Sequence, residues 1–301
     1  MEERFRDIQE AVVRVMSETE LAEWWRKQGL RIVQKRGAYW RSGTMGLWHG
    51  LHPCANLRRD QIGRPHPLCW GYTTSVCAED ADFANAVYKL HVVPGLQSYD
   101  EHALSATKRR HLRIARQRAR IVQLLDSSLL EKEGYAVFSS AAHRLGLWTD
   151  VSPDAYIRDV RSRMNDPRTF TVAGLVDGRL AGYVEAYAVG NVGYVYKVIV
   201  GTEFLPTQVA TGLQFETIMA FKRTPGIDLV VHGRLLPENK GLCEFKGHLG
   251  LVVIDVPART WFAPPLGQIA RRLRPWRYYR MTGVMPKGYD AHLSGASSAS
   301  P

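Results

Sequence analysis

The chain has 301 residues, 45% of them hydrophobic, with a formal net charge of +11 and a pI near 9.6. That is enough apolar material for a substantial core, and no run approaches the ~20 apolar residues that a membrane-spanning helix needs. Cys54, Cys69, Cys77 and Cys243 form no CxxC pair, which disfavours both a disulfide scaffold and a zinc ribbon.

In chain order, the spacing of Ile8, Ala11, Val12 and Val15, continued after a break near Ser17 by Leu21, Trp24 and Trp25, predicts helix over residues 4–28. "RIVQKRGAYW" reads as two short strands around Arg36-Gly37, and "SGTMGLWHGLHPCANL" as a long loop. "PLCWGYTTSVC" and "NAVYKLHVV" are strand-like. A basic helix is expected over about 103–125 and a second helix over about 128–145. Ser152-Pro153-Asp154 carries an N-cap, a first-turn proline and a first-turn acid, so a helix starts there and runs to Met164. "TFTVAGLVDGRLAGYVEAYAVGNVGYVYKVIVG" reads as an antiparallel meander turning at Asp177-Gly178 and Gly190-Asn191. Then come a helix over about 206–223, the strand "IDLVVHG", a short helix in "PENKGLCEFKGHLG", the strand "LVVIDVP" and a last strand in "WRYYRMTGV". From Ser294 the tail is small and polar and is expected to be disordered.

The basic helix holds seven Lys/Arg, one His and no acid between Lys108 and Arg120. Leu112, Ala115, Ala119 and Val122 recur on one helical face, and Arg109, Arg113, Arg116 and Arg120 on an adjacent one. The apolar side wants a core, and the arginine side suits phosphates. With the net charge, this points to an anionic partner such as nucleic acid, a phosphorylated small molecule or an acidic lipid surface. His49, His52 and Cys54 spell H-x-x-H-x-C with no second half nearby, so no metal is expected. "MEERFRDIQE" lacks an apolar signal core, and the protein is expected to be soluble and cytoplasmic.

Three segments together resemble the Fem family (FemAB and FemX type) of GNAT-fold aminoacyltransferases. They are "LSATKRRHLRIARQRARIVQL", the meander with the helix entered at "FLPTQVATGLQFETI", and "GLCEFKGHLG". The similarity covers roughly residues 98–255, and the Phe-Lys pair within the Gly-framed third segment is its most telling piece. The meander is shorter than in the peptidoglycan enzymes, and no coiled-coil arm for tRNA is seen. The resemblance implies an α/β (mixed α+β) fold of two GNAT-like subdomains, each a mixed sheet with helices packed on it. Expected boundaries are 1–125 for a first subdomain ending in the basic helix, 126–290 for a second, and 291–301 for the tail. It also implies amide formation with aminoacyl-tRNA as donor, no permanently bound cofactor, and a phosphorylated or amine-bearing acceptor. By this resemblance Lys246 stabilises the oxyanion formed on the attacked carbonyl, and Phe245 shapes the backbone beside it.

Other candidates come from the residues themselves. Glu185 is a candidate general base, although alternation from Tyr183 also allows an outward surface position. Tyr196 and Lys197 are candidate substrate-binding residues; strict alternation puts them on opposite faces, so only one of them could belong to a site. His232, Arg234 and Asn239 could hold substrate oxygens, and Trp40, among Lys35, Arg36, Tyr39 and Arg41, could stack on a base or sugar. A GNAT enzyme using acyl-CoA or an acyl carrier protein is the alternative. Against CoA, "EFLPTQVATGLQFE" lacks the second glycine of a pyrophosphate turn, and Pro206 removes a donor. A non-catalytic RNA-binding protein with a transferase-like fold is the third reading. A membrane-surface role ranks last, because no segment pairs a broad apolar face with a basic one.

Overall fold

The computed structural model describes residues 4–146 and 151–284. The strands are β1 (Phe5–Asp7), β2 (Val15–Met16), β3 (Ile32–Lys35), β4 (Ala38–Ser42), β5 (Leu47–Gly50), β6 (Gly71–Ser75), β7 (Ala86–Val93), β8 (Arg120–Leu124), β9 (Phe170–Val176), β10 (Arg179–Val189), β11 (Val192–Val200), β12 (Leu229–Arg234) and β13 (Val252–Phe262). The α-helices are α1 (Glu18–Lys27), α2 (Ala106–Arg118), α3 (Tyr135–Arg144), α4 (Pro153–Met164), α5 (Val209–Arg223), α6 (Lys240–His248), α7 (Leu266–Leu273) and α8 (Pro275–Thr282). They build two units interleaved along the chain. Unit one comprises Met1–Ser17, Val92–Gly233 and Phe245–Val252; unit two comprises Glu18–His91, Arg234–Glu244 and Val253–Pro301.

Unit one is a mixed sheet in the order β1-β8-β9-β10-β11-β12, with β2 parallel to the end of β10. β9 is buried along its whole length, as a continuous apolar run with both faces covered should be. One face packs on α2 and α5 through Leu112, Val172, Val184, Val195, Leu213 and Phe221. The other packs on α3 and α4 through Val137, Tyr156, Val160, Leu175 and Tyr183. Asp177 and Gly178 both have positive φ, the backbone of a tight two-residue hairpin. Ser152 caps α4 by accepting from the Ala155 N–H, as its sequence foretells. In unit two the sheet order is β7-β13-β6-β5-β4-β3, over a core of Trp40, Trp48, Leu57, Ile62 and Tyr72.

Four expectations are corrected. Of residues 4–28, the part after the break is helical as α1, but residues 4–16 are not an α-helix. Ile8, Ala11, Val13 and Met16 are buried in unit one, where Val13 N–H bonds to Thr224 Oγ1 at 2.9 Å and the Ile8 carbonyl accepts from Arg223 at 2.6 Å. Those tertiary bonds take the place of helical ones. The basic helix stops at Arg118, and Arg120–Leu124 becomes β8, the antiparallel neighbour that β9 requires. The long loop around residue 47 contains β5. "WRYYRMTGV" is helical, because Pro275 sits in the first turn of α8 and Gly283 ends it in the left-handed region. The tail from Ser294 lies outside the described residues.

Gly226 and Gly250 have the same φ of +82°, but a Cβ on Gly226 would meet nothing within 4 Å, whereas one on Gly250 would lie 2.6 Å from the Ala103 carbonyl oxygen. Gly226→Ala should therefore cost only the left-handed penalty, about 1 kcal/mol. Gly250→Ala should cost roughly 3 kcal/mol, since backbone must also move. Urea unfolding of the two variants checks this; equal midpoints would contradict the packing described.

Candidate functional site: a buried lysine at a strand end

β11 and β12 run parallel, and their ladder covers only Val192–Tyr194 against Leu229–Val231. The next carbonyl along β12, that of His232, accepts a hydrogen bond from Lys246 Nζ at 2.6 Å. Lys246 is only 5% exposed although it lies on a nine-residue helix with no other buried residue. Gly233, which turns the chain after His232 with φ +77°, would place a Cβ 3.8 Å from the same nitrogen. Burying an ammonium costs several kcal/mol unless polar groups receive it, and the His232 carbonyl is such a receiver. The ring of the adjacent residue, Phe245, carries Lys108 Nζ 3.9 Å from its centroid, and burial lowers the Lys108 pKa.

Lys108 was missed by the sequence reading, which placed it only within the run of basic residues. A signal was present: Lys108 stands at i, i+4 and i+7 with Leu112 and Ala115, on the apolar face, and all three are buried.

A second charged cluster lies in unit one. Glu185 is buried, accepts from Arg163 at 3.0 Å and lies 3.6 Å from Lys197 Nζ. The register pairs Glu185 with Lys197 and Ala186 with Val195, so Tyr196 is an extra residue in β11. This bulge corrects the alternation argument. Lys197 meets Glu185, and the half-exposed Tyr196 ring lies 6.3 Å from Tyr187, which is two residues along β10 from Glu185. Tyr196 and Lys197 therefore share a face, as a bulge permits. The bulge falls just beyond the last β11–β12 pair, where the edge of β11 leaves its parallel neighbour.

The arginines of α2 are less available than their spacing suggested. Arg109 donates to the Leu104 carbonyl at 2.7 Å, and Arg116 is held between Glu101 and Glu216. Arg113 is exposed. An open groove of about 490 Å³ at the end of α2 is lined by Arg116, Arg118, Arg120 and Asp177.

The remaining candidates belong to unit two. Arg234 lies 3.8 Å over the Tyr88 ring and donates to the Arg280 carbonyl at 2.8 Å. Asn239 accepts from the Leu242 N–H at 3.0 Å and so caps α6. Trp40 is fully buried, edge-on to Tyr72 at 5.4 Å, and its ring belongs to the core rather than to a stacking surface. His49 has its pKa lowered to about 3 by burial, then by Arg41 and Arg234, so it is a neutral ring at physiological pH. His52 lies 3.4 Å from Glu18. Among the described residues no three His, Cys, Asp or Glu side chains gather as a metal site would require.

Glu185→Gln should leave Arg163 and Lys197 as facing cations and cost about 3–5 kcal/mol at neutral pH. Asp159→Asn, which removes the half-exposed partner of Arg163, should cost under about 1 kcal/mol. Burial lowers the Lys197 pKa, Glu185 opposes this and Arg163 adds to it. Between the folded and unfolded pKa values the unfolded chain binds more protons, so stability rises with pH there. Without Glu185 that window extends lower, and the deficit of the variant should shrink as pH rises from neutrality toward the ordinary value of 10.5. Urea titrations at several pH values measure this; a constant deficit would contradict the cluster's electrostatics.

No family model matches the sequence, and comparison with curated proteins finds no match. Solved structures do match. FemX is similar at 11% identity with a TM-score of 0.58, covering 90% of this chain and 100% of that one. L-PGS from Bacillus licheniformis is similar at 11% identity with a TM-score of 0.54, covering 90% of this chain and 99% of that one. At these identities the likeness is one of fold, and it spans both units. The mixed sheets, the helices packed on them and these neighbours agree: the chain has the mixed α/β fold that FemX and L-PGS share.

Proposed function

We propose that this chain is an acyltransferase that forms an amide, moving an activated aminoacyl group from tRNA to an amine acceptor. The buried ammonium of Lys246 carries this reading. In aminoacyl transfer the amine nitrogen attacks the ester carbonyl, the ester C–O bond breaks, and the proton lost by the amine ends on the departing ribose oxygen or in solvent. Negative charge builds on the carbonyl oxygen in between. A fixed cation in a partly dry site stabilises that charge without reorganising. Lys246 is fixed by the His232 carbonyl, and Lys108 adds to the local positive potential beside Phe245. The β11 edge beyond Tyr194, re-aimed by the Tyr196 bulge, offers backbone donors and acceptors to an extended, amide-bearing substrate. Glu185 is engaged by Arg163 and Lys197, and we assign it to holding this strand rather than to taking the amine proton.

The alternative donor is acyl-CoA. A pyrophosphate would have to sit on the start of α5, where a 3-10 turn over Thr202–Thr207 containing Pro206 precedes the helix, Gln208 is left-handed, and Val209 is fully buried. That start offers few accessible N–H groups, which supports tRNA over CoA.

The test incubates the protein with a mixed pool of charged tRNA, or with acyl-CoA, and candidate amines, and reads products by intact mass. We expect product from charged tRNA that ribonuclease abolishes. Lys246→Met should lower turnover by about 100-fold or more while the circular dichroism spectrum is kept. Product from acyl-CoA alone would overturn the donor assignment. Full turnover in Lys246→Met would overturn the role of the lysine.

A further inference from the structure

α7 is amphipathic and leaves part of its apolar stripe open to solvent. Its sequence, LGQIARRL, places Leu266, Ile269, Ala270 and Leu273 on one stripe and Gly267, Gln268, Arg271 and Arg272 on the other. Leu266 and Ala270 of the stripe are half-buried, and Gln268, Arg271 and Arg272 are exposed. A Cβ on Gly267 would lie 3.2 Å from Phe262 Cβ, and Gly267, Gln268 and Arg271 line a groove of about 340 Å³ with Trp261, Phe262 and Tyr278. Two residues of the stripe are open to solvent, Ile269 at 44% and Leu273 at 72% exposure, and no residue of α7 is buried.

Two further observations say what covers this side. The first is charge. Residues 266–282 contain five arginines and no acid, and Arg271, Arg272 and Arg274 are all exposed. The second is a neighbouring apolar element. The loop carrying Leu68, 73% exposed, and Trp70, 51% exposed, is tied to the residues leading into α7 by a 2.8 Å bond from Ala263 N–H to the Trp70 carbonyl. An outward stripe of leucine and isoleucine beside arginines, with a tryptophan nearby, has the composition of a helix that lies in the headgroup region of a bilayer. An RNA surface would use the arginines but would have no use for the exposed stripe.

We propose that α7, with the Leu68–Trp70 loop, docks this protein on anionic phospholipid bilayers. The stripe enters the acyl boundary and the arginines meet phosphate headgroups. α7 pairs an apolar stripe with basic residues over only two turns, bounded by prolines. Among the described residues no helix is long and apolar enough to cross a membrane. The docking holds whether or not the chain transfers an acyl group.

Co-sedimentation of the full chain with vesicles tests the proposal. Binding to vesicles containing about 30% phosphatidylglycerol should exceed binding to pure phosphatidylcholine roughly tenfold or more, and should weaken in high salt. Ile269→Ser with Leu273→Ser, and separately Arg271→Glu with Arg272→Glu, should each lower that binding about tenfold. Because these side chains are exposed, circular dichroism should be unchanged. Equal binding by both double variants, or no binding by the native chain, overturns the proposal. So does a native dimer that the Ile269/Leu273 variant converts to monomer, which would make a second copy the occupant. Retention of RNA in place of vesicles, lost only in the arginine variant, would make nucleic acid the occupant and overturn it as well.

Discussion

The hydrogen bond from the Lys246 ammonium to the His232 carbonyl anchors the candidate site. A buried cation is tolerated only where its surroundings are polar and fixed, and here the backbone supplies the fixing. The turn after α6 is stitched to the segment that opens α2. Tyr99 Oη donates to the Leu249 carbonyl at 2.9 Å, Ser105 N–H donates to the His248 carbonyl at 2.9 Å, and Gly250 approaches Ala103 too closely for any side chain. Leu249 is fully buried between these bonds. The nitrogen's position is therefore set by main chain and core, not by a flexible surface stem.

The net charge of +11 invites the expectation of a broad phosphate-binding face, but the arrangement of charges is more selective. Arg116 is neutralised by Glu101 and Glu216, Gln9 ties Glu216 further at 3.0 Å, and Arg163 is spent on Glu185. Two lysines, Lys108 and Lys246, are drawn into the interior around Phe245. Exposed positive charge remains at Arg113, Arg118 and Arg120 and on α7, where it accompanies the exposed Ile269 and Leu273.

Much of unit one could be read from the sequence because its signals are local. The Ser-Pro-Asp start of α4 and the Asp177-Gly178 turn need only neighbouring residues to form. The Phe-Lys pair stood out through its framing glycines, and of the two Lys246 is buried and Phe245 half-buried. What escaped depends on distant partners. Residues 4–16 had a helical stripe, yet hydrogen bonds to Thr224 and Arg223 hold them in another path. The stripe through Leu112 and Ala115 ran on to Val122, yet β9 claims Arg120–Leu124 as a strand. The bulge at Tyr196 changes which side chains share a face, and nothing in "YVYKVIV" announces an extra residue. The interleaving of the two units is equally invisible to a walk along the chain, because three separate stretches build unit one.

Chemical labelling of amines tests the placement of Lys246 directly. Under brief acetylation at neutral pH in the folded protein, read by peptide mass, exposed Lys240 should react quickly and Lys246 slowly, with the difference vanishing in denaturant. Equal rates for the two lysines in the folded protein would place the Lys246 nitrogen in bulk water and contradict the account of the site.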